Sequence, residues 1–279
     1  MFYLLKRNIQ MKILLNNNDL NEALNNVSKL GFVPTMGSLH EGHISLIKKA
    51  KKECKKTIVS IFVNPTQFNN KKDFIKYPRN KKKDLSILKK LRVNFVYLPD
   101  IKHIYSSNQN PLKLKKKDKI LCAKYRKGHF EGVLNIMNRL TALINPYKIF
   151  MGEKDYQQLY LVKNFIEKKY KSKIIACQTV RNKNKLALSS RNLHLNKKSL
   201  KIAEKISKNL ISFKRNLNKQ NNLKNVVSIK KRQLSKLYKV KIEYLELRNK
   251  TNLKNVNTNK NSKLFIAYYL NNIRLIDNF

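Results

Sequence analysis

Two histidines spaced three residues apart carry the clearest chemical signal in this sequence. His40 and His43 lie in residues 31–50, which read GFVPTMGSLHEGHISLIKKA. An apolar run, a glycine-containing polar loop and an amphipathic stretch follow one another here, and this order predicts strand, loop and helix. On the first turn of that helix both imidazoles would project from one face and donate to the same phosphate. The N-terminus of a helix at the edge of a sheet favours an anion as its ligand.

Two other interpretations of this segment stay open from these residues alone. A zinc metalloprotease has histidines at i and i+4 with a glutamate between them, whereas HEGH places them at i and i+3 with a glycine in the turn. No third ligand is evident nearby. The remaining interpretation is a strand-to-helix turn in which the two histidines have no function.

Two amide side chains follow the next predicted strand. Residues 57–63 read TIVSIFV, a β-branched run typical of a buried parallel strand, and Asn64 and Gln67 come directly after it. Ligands of open α/β sheets bind outside the carboxyl ends of the strands, so we expect both amides to face the cleft of the histidines. A neutral amide can donate to a carboxylate and accept from a hydroxyl. The alternative is that both residues only form a turn.

A third group of polar residues connects a strand to a helix. Residues 148–151 read as a strand, residues 152–155 have the sequence GEKD, and a helix is predicted to continue to about residue 168. Lys154 can reach phosphate as a point charge, and Asp155 can accept from a sugar hydroxyl or lie near magnesium. The alternative, acids that only favour the helix dipole, leaves Gln158 on the same face unexplained.

A fourth group follows the strand predicted over residues 173–180. The segment LALSSRN contains Ser189, Ser190 and Arg191. Arginine binds phosphate bidentately and serine adds directional donors, so this group suits stabilisation of departing pyrophosphate. Taken alone, SSRN could instead cap a helix.

The order of these segments resembles that of one family. PTMGSLHEGH, VNPTQF, RKGHFEGV, GEKDYQQL and LALSSRN are similar to five signatures of the pantoate–β-alanine ligases, which are HIGH-type nucleotidyltransferases. The resemblance covers roughly residues 31–192. It implies a two-step reaction in which pantoate and MgATP give pantoyl adenylate and pyrophosphate. The amine of β-alanine then attacks the acyl carbon to give pantothenate and AMP.

The resemblance also implies roles for particular residues. The implied catalytic residues are His40, His43, Lys154, Ser189, Ser190 and Arg191. The implied ATP contacts are Met36, Gly37, Ser38, Leu39, His40, Glu41, Gly42, His43, Gly152, Glu153, Lys154, Asp155, Val180, Leu188, Ser189, Ser190 and Arg191. The implied contacts to pantoate or β-alanine are Asn64, Gln67 and Gln158. ATP with Mg²⁺ is the implied cofactor, without identified metal ligands in the protein, and a homodimer through the large domain is the implied assembly.

Four positions need separate comment. Cys122, Ala123 and Lys127 stand where glutamate, glycine and proline are common in the family, and Cys122 is interpreted as a small buried thiol. Asp84 follows the YPR sequence within a helix predicted over residues 81–91. It could lie near a nucleotide-bound metal, but we interpret it as an exposed helix carboxylate.

Length and pattern predict an α/β fold with a smaller second domain. The 279 residues suit a large α/β domain with a parallel sheet and a smaller α+β domain. The resemblance implies that residues 1–180 form a Rossmann-like domain that binds ATP and pantoate and that residues 181–279 form a C-terminal α+β lid domain. Met11 begins MKILL, which reads as a first strand. Residues 1–10 are therefore interpreted as a possible extension.

The charge is extreme but evenly distributed. The chain has 62 Lys+Arg against 16 Asp+Glu, a formal net charge of +46. A nucleic-acid module would concentrate its basic residues on one element with aromatic residues interleaved, so we expect only nonspecific, salt-sensitive RNA affinity. Two alternatives are a cytidylyltransferase-like enzyme, which VNPTQF and GEKDYQQ argue against, and a nucleic-acid-binding protein on an inactive scaffold.

Cysteine and apolar patterns predict a cytoplasmic protein. Cys54, Cys122 and Cys177 are far apart, which indicates neither a disulfide framework nor a metal cluster. No apolar run approaches the ~20 residues of a membrane helix, and the first ten residues do not form a signal peptide.

Overall fold

A computed structural model describes residues 10–69, 71–105, 112–217 and 222–279. The strands are Lys12–Leu14 (β1), Leu30–Thr35 (β2), Lys56–Ile61 (β3), Phe95–Tyr97 (β4), Lys148–Gly152 (β5), Lys173–Cys177 (β6), Lys241–Asn249 (β7), Ser262–Leu270 (β8) and Ile273–Asn278 (β9). The helices are Asn17–Leu24 (α1), Glu41–Glu53 (α2), Lys71–Lys76 (α3), Lys81–Lys90 (α4), Ile101–Ile104 (α5), Cys122–Tyr125 (α6), His129–Ile144 (α7), Tyr156–Lys169 (α8), Lys197–Asn216 (α9) and Leu223–Tyr238 (α10).

The larger sheet is parallel, as the sequence predicts. Its six strands lie in the order β1-β4-β3-β2-β5-β6, and all neighbouring pairs are parallel. After β2 the chain continues to β3 on one side, whereas β5 lies on the other side of β2. The loops that follow β2 and β5 therefore diverge, and ligands of such sheets bind in the crevice opened at that point.

Helices cover both faces of this sheet. On one face α2 buries Leu46, Ile47 and Ala50, whose spacing gives it one apolar side, against Val33 and Val59 of the strands. On the other face α7 and α8 pack in a second apolar cluster with α1. The predicted helix after residue 43 begins at Glu41, with His40 as its N-cap.

The C-terminal part has its own sheet and core. Strands β7, β8 and β9 form an antiparallel sheet in that order. Helices α9 and α10 pack against it through residues such as Ile206, Leu234 and Ile266. The α/β class with a smaller C-terminal α+β segment is thus confirmed, while the boundary at residue 180 stays a prediction. Of the predicted extension, residues 1–9 lie outside the described part.

None of the helices in the described residues is both long enough and apolar enough to cross a membrane. The three cysteines are free thiols. Cys122 is buried, as interpreted from the sequence, with its Sγ 3.0 Å from the hydroxyl of Tyr244.

Candidate active site

The loop after β2 has two consecutive residues with positive φ and is held in place by hydrogen bonds to the sheet. Gly37 has φ +77° and Ser38 has φ +52°, both in the left-handed region. Thr35 Oγ1 accepts the Gly37 N–H at 3.2 Å and donates to the carbonyl of Ser60 on the neighbouring strand at 2.8 Å. The start of the loop is thereby fixed to the sheet.

Asp84 supports the rest of this loop, and its interpretation as an exposed carboxylate is wrong. Its side chain is buried, and its two oxygens accept the N–H groups of Ser38 and Leu39, each at 2.8 Å. A Cβ at Gly37 would lie 2.9 Å from Asp84 Oδ2, so glycine is needed for this close approach. The signal in the sequence was that Asp84 and Leu88 stand one turn apart, on the side of α4 that packs against the loop.

The two histidines each use one ring nitrogen to bind the backbone. Nδ1 of His40 accepts the N–H of Gly42 at 3.1 Å, and Nδ1 of His43 accepts the N–H of His40 at 3.4 Å. Because both Nδ1 atoms accept, each neutral ring carries its proton on Nε2. Burial and the neighbouring imidazole of His40 lower the pKa of His43 to about 3, and burial and Lys154 lower that of His40. At pH 7 both rings are therefore neutral donors.

Gln67 lies in a 3-10 turn, Pro65–Gln67, that Asn64 caps. The Asn64 amide is fully engaged: it donates to the carbonyl of Gly132 at 3.2 Å and accepts from the hydroxyl of Tyr105 at 2.7 Å. A Cβ at Gly132 would lie 2.5 Å from a carbonyl oxygen of the turn, so this glycine lets α7 approach the turn closely. Asn64 thus helps to hold Gln67 in position.

Half-buried Arg126 and buried His129, from the RKGHFEGV segment, support the same turn, and neither is among the site residues predicted from the sequence. His129 Nδ1 lies 2.7 Å from the carbonyl of Gln67, to which it must donate, and its Nε2 accepts from Arg126 Nη1 at 2.7 Å. Burial and the Arg126 charge lower the pKa of His129 to about 3. Burial, with Arg191 nearby, lowers the pKa of Arg126 to about 10. Arg126 has no carboxylate within salt-bridge distance in the described part of the chain.

The turn after β5 brings a cation and an anion to the floor of the cleft. Lys154 Nζ lies 3.6 Å from Asp155 Oδ1, whose side chain keeps 47% of its surface open to the cleft. Burial alone would raise the pKa of Asp155, but Lys154 and Arg191 outweigh it and hold that pKa below its ordinary range. Gln158 lines the cleft, and its amide bonds to no other described residue.

The SSRN segment forms a 3-10 turn, Ser190–His194, next to α3. The hydroxyl of Ser190 lies 3.4 Å from that of Tyr77, and Arg191 Nη2 pairs with Asp73 at 3.2 Å. Ser189 Oγ accepts the Arg191 N–H at 3.3 Å. Residues from α3 and from the C-terminal part therefore meet across the mouth of the cleft.

These groups enclose a cavity of about 290 Å³. Most predicted site residues line it together. The predicted residues outside its lining are Gly37, Ser38, Leu39, Glu41 and Glu153. Gly37 to Leu39 instead shape the loop, and the Glu153 carboxylate pairs with Lys263 at 3.1 Å.

The described residues contain no group of three or more His, Cys, Asp or Glu side chains arranged to hold a metal ion. Any metal contact must therefore come from the single carboxylates that line the cavity. The carboxylates lining the cavity are Asp155 and Asp277, and Asp277 is already paired with Arg181 at 2.7 Å. Asp155, paired with Lys154 but 47% exposed, is therefore the carboxylate that a metal ion carried in by another ligand could approach.

Comparison with known proteins gives one consistent result. The sequence profile of the family "Pantoate-beta-alanine ligase" matches residues 11–279. The pantothenate synthetase of Francisella tularensis subsp. mediasiatica (strain FSC147) is 40% identical over 255 residues, 90% of this chain and 89% of the relative. The crystal structure of pantothenate synthetase from Thermus thermophilus has a TM-score of 0.88 at 27% identity, covering 96% of this chain and 99% of that one. The Francisella tularensis pantoate-beta-alanine ligase, complexed with beta-gamma ATP and beta-alanine, has a TM-score of 0.81 at 37% identity, covering 97% of each chain.

Proposed function

The chain belongs to the pantoate–β-alanine ligase family and ligates pantoate to β-alanine with ATP, and we propose that it does so through a pantoyl adenylate formed in this cleft. The observation that carries the proposal is the pair of neutral imidazoles that line the same cleft as Lys154. Donors and a cation without a nucleophilic side chain suit a reaction in which the substrate itself attacks phosphorus.

In the first step an oxygen of the pantoate carboxylate attacks the α-phosphorus of ATP. The bond from that phosphorus to the bridging oxygen breaks, and pyrophosphate leaves with both electrons. His40 and His43 donate through Nε2–H to the α-phosphate oxygens, where negative charge builds up. Lys154, Ser189, Ser190 and Arg191 neutralise the departing pyrophosphate. No proton transfer is required of either histidine.

In the second step the free amine of β-alanine attacks the acyl carbon of the adenylate. The bond between that carbon and the AMP oxygen breaks, and the new amide nitrogen loses a proton to water. The same donors that received the transition-state charge then hold AMP as the leaving group.

Pantoate is held by the two glutamines. Gln67 and Gln158 can each donate to a carboxylate and accept from a hydroxyl, and the Gln158 amide is available because it bonds to no other described residue. We assign Asn64 to positioning Gln67, since its own amide is engaged by Gly132 and Tyr105.

Arg126 is assigned to the carboxylate of β-alanine, which stays ionised throughout the reaction. The cations lining the cavity are Arg126, Lys154, Arg191 and Arg274. Lys154, Arg191 and Arg274 each have a carboxylate within 4.0 Å, whereas the described residues offer none to Arg126. A half-buried guanidinium without an acid is a favourable partner for a substrate carboxylate.

Asp155 is the carboxylate that would face Mg²⁺ carried on the ATP phosphates, an ion that would neutralise part of their charge. A homodimer through the large domain and a cytoplasmic location remain proposals supported by the family resemblance. Nonspecific affinity for nucleic acid, falling steeply with salt, is supported by the net charge of +46.

Labelled substrate tests the adenylate directly. Pantoate carrying ¹⁸O in its carboxylate should transfer one labelled oxygen to AMP during a complete turnover, because the attacking oxygen stays with phosphorus when the amide forms. AMP without label would contradict adenylation of pantoate.

A further inference from the structure

The penultimate residue of the chain contacts the catalytic turn of the parallel-sheet part. Asn278 ends β9, is 3% exposed, and donates through Nδ2 to the carbonyl of Glu153 at 2.8 Å and to that of Lys154 at 2.9 Å. The end of the strand is itself fixed, because Phe279 and Leu264 exchange backbone hydrogen bonds of 2.9 Å in both directions. This side-chain amide is thus held by the C-terminal sheet and bound to the turn after β5.

The two carbonyls that it binds belong to the peptide planes on either side of Lys154. The Glu153 carbonyl is in the plane before the Lys154 Cα, and the Lys154 carbonyl is in the plane after it. Because peptide units are rigid and planar, fixing both carbonyls fixes the two backbone dihedrals of Lys154. The direction in which its side chain leaves the backbone is then fixed as well.

The orientation of the amide is determined by a second contact. Lys263 Nζ donates to Asn278 Oδ1 at 2.9 Å and to Glu153 Oε2 at 3.1 Å. An ammonium only donates, so it selects the oxygen of the amide and leaves the nitrogen facing the two carbonyls. Neighbouring strands β8 and β9 therefore hold the turn together.

We propose that Asn278 is a positioning residue for ATP activation, acting through the backbone of Lys154. It does not reach the reacting atoms, and its effect depends on the role of Lys154 at the phosphates given under Proposed function. The small C-terminal sheet in this way determines where a cation of the larger domain meets the nucleotide.

The main test uses Asn278→Asp, which keeps the size and changes one atom. A carboxylate oxygen would replace the donor and repel the two carbonyls, while the new charge would still pair with Lys263. We expect a lower melting temperature, because a buried carboxylate facing two carbonyls is unfavourable. At a temperature where the variant is folded, we expect a loss of about 10- to 100-fold in pantoate-dependent pyrophosphate exchange. Asn278→Ala, which removes the donor without adding charge, should change exchange in the same direction if the aspartate variant does not fold.

The matched control is Asn271→Asp, at the turn between β8 and β9. It makes the same chemical change in the same sheet, but Asn271 donates to the hydroxyl of Ser199 at 2.8 Å and contacts no catalytic element. Exchange in this variant should stay within about twofold of the parent. Equal losses in both variants would attribute the effect to the sheet as a whole and overturn the proposal.

A double-mutant comparison separates this proposal from the proposed function. If Asn278 acts through Lys154, then Asn278→Asp should cost less than about twofold in a Lys154→Met background. A full additional loss in that background would overturn the positioning role while leaving Lys154 in the reaction. Normal exchange by Lys154→Met alone would instead overturn the role of Lys154 itself and, with it, the inference that rests on it.

Discussion

The two walls of the cleft differ in how their polar groups are used. On the wall built from the loops after β2, β3 and β5, the imidazoles of His40 and His43 accept backbone N–H groups at Nδ1 and keep Nε2 for the cavity, and the Gln158 amide bonds to no other described residue. On the opposite wall charged side chains pair with each other, as Arg181 does with Asp277 and Arg274 with Glu243, both at 2.7 Å. The first wall is arranged for chemistry. The second mainly holds the first in place, apart from Ser189, Ser190 and Arg191, which are assigned to the departing pyrophosphate.

This difference shows that lining a cavity does not make a residue a reactant. Arg274 and Asp277 line the same space as His43, yet each already has an ionic partner. Both of these pairs are largely buried, and removing a partner from a buried ion pair is costly, so neither group is free to bind substrate. Lys154 and Arg191 differ because their partner carboxylates are 47% and 46% exposed. The groups left for substrate are those whose protein contacts use only part of their hydrogen-bonding capacity.

The largest expected effect is on the first wall. His43→Ala removes one donor to the transition state and should lower pyrophosphate exchange by about 10²- to 10³-fold. The matched control is His103→Ala, because His103 Nδ1 also accepts a backbone N–H three residues earlier, that of Asp100, at 3.2 Å. Near-normal exchange in the His43 variant would remove this histidine from the mechanism.

A smaller effect is expected from changing Asp84, which supports the loop after β2. Asp84→Asn keeps the shape but presents an NH₂ group to one of two backbone N–H donors, which removes a hydrogen bond to a charged group worth about 1.5–3 kcal/mol. The KM for ATP should rise about tenfold and the melting temperature should fall. Asp100→Asn, at the exposed start of α5, should change neither by a comparable amount. An unchanged KM for ATP in Asp84→Asn would show that the loop keeps its shape without the carboxylate.

The next expectation separates the two half-reactions. Arg126→Gln should raise the KM for β-alanine about tenfold, while exchange measured without β-alanine stays within about threefold of the parent. Lys124→Gln, on a neighbouring exposed lysine, serves as the control for loss of charge. A parallel loss of exchange in the Arg126 variant would place this guanidinium at pantoate or ATP instead.

The last effect concerns stability rather than activity, through its dependence on pH. His43 and His129 have pKa values of about 3 in the folded chain and about 6.5 when unfolded, so between these values unfolding takes up protons. Their contribution to stability is complete above pH 6.5 and is lost as the pH falls toward 3. Near pH 5 the free energy of unfolding should therefore rise with pH, by roughly 1 kcal/mol per pH unit for each of the two groups.

Urea unfolding between pH 5 and pH 6 measures this slope with few carboxylates titrating. His129→Asn should reduce the slope by about half. An unchanged slope in that variant would show that His129 titrates normally in the folded protein.

The first wall could be predicted from the sequence, and most of the second could not. His40, His43, Gln67 and Lys154 each stand within one strand–loop–helix segment, so local pattern and family resemblance suffice to place them together. The parallel sheet follows from apolar β-branched runs for the same reason. Each of these signals lies in one continuous stretch of chain.

The missed residues act over long separations. Asp84 binds a loop about 45 residues earlier, and Asn278 binds carbonyls 124 and 125 residues earlier. The sequences around them, KKKDLS and RLIDNF, do not identify such partners, because the contacts depend on how helices and sheets pack rather than on local periodicity. The strand order of the larger sheet escapes prediction for the same physical reason.

Pantoate-dependent exchange of labelled pyrophosphate into ATP, at moderate salt and without β-alanine, tests the central claim most directly. If the cleft activates pantoate as an adenylate, label should enter ATP only when pantoate is present, because the first step is reversible without the amine. Folded protein that catalyses no exchange, or exchange that does not require pantoate, would contradict the account.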